Sequence, residues 1–140
     1  MAANTAPIYS AKGIIGFSDA VVAAANTTKD LTSGTIYLCH TAAADGDFVE
    51  RIRFRALGTN VATVGRVWIN NGSTTGTAAN NRLIDEITLS ATTGSEVASL
   101  VSYELPLGFV LPNGYRIYVT VGTVVAAGYH VTVFGGTYTA

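Results

Sequence analysis

The sequence predicts an all-β fold, a jelly-roll-like β-sandwich of about eight antiparallel strands with an extended N-terminal arm. Strand-forming Val, Ile, Thr, Tyr and Phe are abundant, whereas Lys and Glu, which are common on helix surfaces, are scarce. Several segments alternate apolar and polar residues with the period of two that a half-buried strand requires. The 15 glycines supply the turns between such segments.

Length and composition indicate one domain that works in an assembly. A chain of 140 residues has the usual size of one domain, so we divide it into an arm at 1–12 and a single β-sandwich domain at 13–140. Only 12% of the residues are charged and the mean hydropathy is +0.36, which favours burial of surface against other proteins. The net charge of −1 argues against a dedicated nucleic-acid binder. No run approaches the ~18 apolar residues of a membrane-spanning helix.

The N-terminal elements are an arm, a strand and a segment with several interpretations. Pro7 and the small polar residues around it predict the extended arm, because they show no periodicity. The first strand is predicted at 12–17. Residues 18–25 fit a helix capped by Ser18, a strand or an ordered loop. The next strand is predicted at 34–40.

Residues 48–57 show the strongest alternation in the chain. Arg51, Arg53 and Arg55 share one face of this predicted strand. Glu50 falls on the opposite, apolar face, so we expect it near the strand end or in an ion pair. The apolar face carries Phe48, Ile52, Phe54 and Ala56.

A turn at 58–60 leads to another predicted strand at 61–70, and these two strands are expected to pair antiparallel. The remaining strands are predicted at 82–89, 101–110, 115–121 and 129–134. In the first of these, Leu83, Ile87 and Leu89 share a face. Pro106 interrupts the 101–110 strand, which indicates a sheet edge or a bulge.

The sequence offers little for catalysis. Cys39 and His40 are adjacent in a strand, so their side chains point to opposite faces and cannot act as a nucleophile–base pair. His130 also lies in a strand and is expected at the surface or in an interface. Asp45-Gly46-Asp47 lacks the further acids of a calcium loop. We therefore expect no enzymatic activity, no cofactor and no metal site.

The stripe of Arg51, Arg53 and Arg55 has three interpretations. It could dock on an acidic protein surface, contact a phosphate backbone, or form a solvated face that pairs with acids on neighbouring strands. The seven tyrosines and Trp68 could likewise form a sugar-binding platform, or they could fill the core and interfaces.

Three stretches of the sequence carry a resemblance to known proteins: residues 45–64, residues 66–72, and residues 107–118 with Leu111-Pro112-Asn113-Gly114-Tyr115-Arg116. Through them the sequence resembles small proteins of tailed bacteriophages, in particular capsid decoration (cement) proteins. The resemblance covers roughly residues 33–135 and contains no catalytic motif. It implies a structural role in the virion and a β-rich protein, often trimeric, that clamps neighbouring capsomers from outside.

The expected function is therefore to decorate and stabilise a bacteriophage capsid, on its outer surface, by binding the major capsid protein. A homo-oligomer is expected, with a trimer favoured, and neither nucleic acid nor membrane is an expected partner. The alternative is a head-fibre or tail-associated adhesin module that binds a host surface glycan. A third possibility is a small hydrolase, which would require an acid, a base and a nucleophile clustered in one site. The candidate capsid or subunit interface consists of Arg51, Arg53, Arg55, Tyr9 and Pro7.

Overall fold

The structure is a computed structural model that describes residues 10–139. Its eight strands confirm the predicted all-β class, and one short 3-10 turn accompanies them at Ala78–Asn80. Within residues 10–139, no helix has the length and apolar composition needed to cross a bilayer. The strands are β1 Lys12–Phe17, β2 Tyr37–Thr41, β3 Asp47–Ala56, β4 Thr63–Asn70, β5 Asn81–Leu89, β6 Ser102–Leu111, β7 Arg116–Val121 and β8 Tyr129–Thr137.

The strands form two four-stranded antiparallel sheets. The front sheet has the order β1-β8-β3-β6 and the back sheet has the order β2-β7-β4-β5. Strand β1 pairs with β8, β2 with β7, β3 with β6 and β4 with β5, so the pairs are nested along the chain and alternate between the sheets. This arrangement is that of a jelly roll, as the sequence predicted.

The predicted pairing of β3 with β4 is wrong, because the two strands lie in different sheets. The link between them crosses from the front sheet to the back sheet and contains the buried side chain of Asn60. The Asn60 Oδ1 accepts hydrogen bonds from the backbone N–H groups of Ala127 and Gly128 at 2.9 and 2.8 Å. The residues 58–60 therefore join the sheets and do not form a hairpin turn.

The core lies between the sheets and is built from the inward faces that the alternation predicted. Valine, isoleucine and aromatic side chains from both sheets are completely buried there. They include Val49, Ile52 and Phe54 of β3, Val67 of β4, Ile117, Val119 and Val121 of β7, and Val131 and Val133 of β8.

A β-bulge in β3 reverses the alternation of core-facing and outward-facing residues along this strand. Against β8, the register shifts between Val49 and Arg51, and Glu50 is the extra residue. Against β6, the register shifts at the same place, but the extra residue is on β6, where Leu107 and Gly108 lie opposite Glu50. Val49 consequently points into the core, and Glu50 is exposed. Phe48 lies outside the core cluster, which corrects the prediction that it shares a face with Ile52. Pro106 lies opposite Arg51 on β6, an edge strand, so both the edge and the bulge indicated by this proline are present.

A bulge in β5 has the same effect on the alternation of its core-facing and outward-facing residues. Val67 pairs with Asp85 and Trp68 with Leu83, so Ile84 is the extra residue. Ile84 packs against the core and Leu83 is exposed, which corrects the prediction that Leu83 shares a face with Ile87.

Residues 18–25, which fitted a helix, a strand or a loop, form an irregular segment with isolated bridges to β7 and β8. Residues 26–36 continue it across the outer face of the back sheet, and we call them the cover segment. Leu31 of this segment is buried against Trp68 and Tyr118. The buried side chain of Asn26 holds the segment by donating to the carbonyls of Ser33 and Thr35. The chain therefore covers the part of the outer face of its back sheet around Trp68 and Tyr118.

Candidate functional site

The outer face of the front sheet brings the predicted arginine stripe together with apolar side chains from other strands. The strand register aligns outward-facing residues in rows across the four strands. The first row is Ile15, Phe134, Arg51 and Pro106, the second is Phe17, Thr132, Arg53 and Glu104, and the third is His130, Arg55 and Ser102.

Arg51 and Arg53 are fixed by an aromatic ring and a carboxylate. Their guanidinium carbons lie 4.5 and 5.2 Å from the centroid of the Phe134 ring, within the range of a cation–π contact. The Arg53 Nε donates to Glu104 Oε1 at 2.6 Å, and the Arg51 Nε lies 3.5 Å from Glu104 Oε2. Arg51 also pairs with Glu50 at 3.1 Å. These two arginines therefore match the prediction of a face paired with cross-strand acids.

Arg55 is different from the other two arginines. Its Nη1 donates to the Leu100 carbonyl at 2.7 Å and to the Ser102 Oγ at 2.8 Å, which are both neutral acceptors. Among residues 10–139, Arg55 forms no ion pair with a carboxylate. Among the described residues, the acidic Glu96 lines a depression together with Arg55 but forms no ion pair with it.

The edge strand β1 presents large apolar side chains to solvent. Ile15 is 65% exposed and Phe17 is 68% exposed, whereas β1 pairs only with β8. Exposed apolar residues on a sheet edge promote association with other chains. Ile15 and Phe17 were not among the predicted interface residues. The run Ile14-Ile15 could have indicated an exposed apolar residue, because it puts an apolar side chain on each face of this strand.

A depression of about 430 Å³ lies beside Phe17, at the same end of the front sheet as Arg55. Its lining is mainly apolar, and it combines residues of β1, β8 and the segment between β1 and the cover segment. The lining residues are Phe17, Ser18, Ala20, Val21, His130, Val131 and Thr132.

The other two predicted interface residues, Pro7 and Tyr9, lie outside the described residues 10–139. Lys12, the last residue of the predicted arm, already belongs to β1. The structure therefore places Arg51, Arg53 and Arg55 on one face and leaves the role of Pro7 and Tyr9 as a prediction.

The large aromatic residues of the back sheet belong to the interior. Trp68 is 1% exposed, and its Nε1 donates to the Thr120 Oγ1 at 3.0 Å. Tyr37 and Tyr118 of the back sheet are buried too, and so is Tyr129 of β8 in the front sheet. These side chains do not form an exposed platform for a sugar.

Three of the residues considered for catalysis or metal binding, Cys39, His40 and Asp47, are used within the fold. The His40 Nε2 lies 2.5 Å from the Oδ2 of Asp47, whose side chain is 1% exposed. Burial raises the pKa of the Cys39 thiol, so this cysteine is a poor nucleophile at neutral pH. The part of the chain that the structure describes holds no group of three or more His, Cys, Asp or Glu side chains arranged for a metal ion.

No protein-family model matches the chain, and no curated protein matches it at a significant level.

Proposed function

We propose that the protein is a structural component of a bacteriophage virion that decorates and stabilises the capsid by binding the major capsid protein. The observation that supports this most directly is the difference between the two outer faces of the sandwich. Leu31 of the cover segment buries Trp68 and Tyr118 on the outer face of the back sheet. The front sheet instead exposes Ile15 and Phe17, together with Arg55 and the partly exposed Arg51 and Arg53. A surface of this kind is typical of a protein–protein interface, in which aromatic residues and arginine are enriched.

Two further observations support the proposal. The low charged fraction of 12% suits a protein that buries much of its surface in an assembly. The resemblance of residues 45–72 and 107–118 to capsid decoration proteins supplies the identity of the partner. The jelly-roll fold occurs in viral capsid domains, but it also occurs in lectins and cupins, so the surface and not the fold carries the proposal.

The proposal is tested with expanded capsids that lack the protein. Purified protein is expected to sediment with these capsids at a saturable ratio to the capsid protein and to raise the temperature at which the particles disrupt. A density map of the saturated particles is expected to show the protein on the outer surface. Failure to bind, together with unchanged particle stability, would overturn the proposal.

The adhesin alternative gains no support from the buried members of the aromatic set that suggested it. Trp68, Tyr118 and Tyr129 are accounted for by the core and by the packing under the cover segment. Specific binding to a glycan array that is lost on substitution of an exposed residue such as Phe17 would favour that alternative.

A further inference from the structure

We propose that one end of the front sheet binds an extended acidic segment of the partner protein. The segment inserts a bulky apolar side chain into the depression beside Phe17 and places a carboxylate on Arg55. The choice of the capsid protein as partner rests on the proposed function, whereas the chemistry of the ligand follows from the site itself.

The charge of Arg55 indicates a carboxylate ligand. A guanidinium has five N–H donors, and only the Nη1 of Arg55 donates to other described residues. The remaining donors can bind a carboxylate in the bidentate geometry that arginine favours. Arg51 and Arg53 offer less, because Glu104 and Glu50 already pair with them.

The depression indicates an apolar anchor next to that carboxylate. Its volume of about 430 Å³ falls within the range of roughly 300–1,000 Å³ for small-ligand sites, so it can hold one bulky side chain. Phe17 and Val21 form exposed apolar parts of its lining. Apolar anchors that fill such pockets dominate the binding energy of protein interfaces.

The depression is preformed. The backbone N–H of Ser18 donates to the Val131 carbonyl at 2.9 Å, and Val22 and Tyr129 exchange two backbone hydrogen bonds of 3.0 Å. Gly128 permits the close approach of this segment, since a Cβ at that position would lie 2.5 Å from the Val21 Cγ1. The segment is thus tied to β8, and binding would not have to order it.

The distance between the two features matches an extended segment. His130 lines the depression and lies directly opposite Arg55 in the register of β8 and β3. The Arg55 side chain extends from there toward β6, where its Nη1 donates to Ser102. Neighbouring strands are about 4.8 Å apart, so roughly two to three strand spacings, or about 10–14 Å, separate the guanidinium from the depression between β1 and β8. Residues four positions apart on one face of an extended chain are about 13 Å apart, so an apolar residue and an acidic residue at this spacing can occupy the depression and Arg55 together.

A protein carboxylate fits this site better than the phosphates of a nucleic acid. A phosphate backbone has no group that would fill the apolar depression. Arg51 and Arg53 already pair with carboxylates, so this face offers one cation, Arg55, where a nucleic-acid site uses several. We therefore assign an acidic, partly apolar protein segment as the ligand.

The first test uses peptides as probes. A fluorescein-labelled nine-residue peptide with Phe at its third position and Glu at its seventh, and with Ser or Thr at the other positions, is titrated with the full-length protein at low salt, and anisotropy is recorded. Binding is expected to weaken about tenfold when Gln replaces Glu in the peptide, or when the protein carries Arg55→Glu or Phe17→Ser. Arg55→Lys is expected to give an intermediate loss, because the charge stays and the bidentate geometry is lost.

Two matched variants control for charge and hydrophobicity. Arg82→Glu changes an exposed arginine on β5 of the back sheet, and Val97→Ser changes an exposed valine in a loop. Both should bind the peptide like the wild type, and circular dichroism should show that all variants are folded. Equal losses for Arg82→Glu and Arg55→Glu, undiminished binding by Phe17→Ser, or tighter binding of a DNA oligonucleotide than of the peptide would each overturn the inference.

The second test separates this inference from the proposed function. If the wild type and Arg55→Glu bind capsids equally well, the inference is overturned and the proposed function stands. Peptide binding of the expected specificity without any capsid binding would overturn the proposed function and support the assignment of the site.

Discussion

Tyr129 illustrates how single buried polar atoms set the stability of this sandwich. Its ring is completely buried at the start of β8, and within residues 10–139 its hydroxyl has no hydrogen-bond partner. Burial raises the pKa of this hydroxyl above the ordinary tyrosine value. A buried hydroxyl without a partner reduces the free energy of unfolding.

We therefore expect Tyr129→Phe to stabilise the protein by about 1 kcal/mol at neutral pH, measured by urea unfolding. The wild type should also lose stability as the pH rises above about 10, because the unfolded state releases this proton before the folded state does. The Tyr129→Phe variant has no hydroxyl to titrate at this position. The difference in the free energy of unfolding between the variant and the wild type should therefore grow between about pH 9 and pH 11. A constant difference across this range would contradict the expectation.

The pair formed by His40 and Asp47 joins the edge of the back sheet to the start of β3. Asp47 also accepts a hydrogen bond from the backbone N–H of Ala43 at 3.2 Å. Removing the imidazole leaves a buried carboxylate without its main partner. We expect His40→Ala to lower the free energy of unfolding by about 3–5 kcal/mol.

Urea unfolding near neutral pH measures that loss. The exposed histidine of β8 provides the matched control, because His130→Ala should change the stability by no more than about 0.5 kcal/mol. Similar effects of both substitutions would show that the pair of His40 and Asp47 is not a structural contact.

For single residues, the sequence predicted which face of a strand a side chain occupies better than it predicted which residues that side chain contacts. The alternation of β3 placed Arg51, Arg53 and Arg55 together because it is a local property. Their contacts with Glu104 and Phe134 come from strands that lie far away in the chain, so no local pattern could reveal them. For the same reason, the sequence could not show that Arg55 differs from Arg51 and Arg53 in forming no ion pair with the described carboxylates.

The cover segment is the element that determines which face of the sandwich stays open. Leu31 is its only large apolar residue between 26 and 35, and it has a positive φ of 63°. Its side chain packs on Trp68, the single tryptophan of the chain. Tryptophan fluorescence therefore reports directly on whether the segment lies on the back sheet.

We expect Leu31→Ala to cost about 2–5 kcal/mol of stability, since it removes a buried leucine. The fluorescence of Trp68 should shift to the red and become more accessible to acrylamide, because its cover is lost. Leu57→Ala, at an exposed leucine in the link after β3, should change neither quantity. Loss of stability without any change in fluorescence would mean that Leu31 does not shield Trp68.

The element scale also shows where sequence patterns fail. All eight strands were predicted at nearly the correct positions, because alternation and turn residues act locally. The errors at Phe48 and Leu83 arose because each strand contains a bulge, and one extra residue reverses the phase of all residues beyond it. The pairing of β3 with β4 failed because alternation identifies a buried face and not the neighbouring strand.

At the scale of the whole molecule, the composition and the open front sheet favour self-association. We expect the purified protein to sediment as a homo-oligomer, with a trimer favoured by the resemblance to decoration proteins. Sedimentation equilibrium and native mass measurement at several concentrations would show this. A monomer at all concentrations would remove the oligomer from the proposed function, while capsid binding would remain a separate question.

The nested order of the strand pairs has a consequence for how the protein folds. The pair β4 and β5 is close in sequence, whereas β1 and β8 come from opposite ends of the chain. Because distant pairs require the closure of longer loops, we expect β4 and β5 to gain protection from hydrogen exchange first and β1 and β8 last. Pulse-labelled hydrogen exchange would contradict this if β1 and β8 were protected first.

This order would delay the appearance of the proposed binding site. Phe17 comes from β1, Arg55 from β3 and His130 from β8, so the site needs strands from both ends of the chain. A chain still on the ribosome, before β8 has been synthesised, cannot present the complete surface. Partner binding would therefore report that β8 has been synthesised and has paired with β1 and β3.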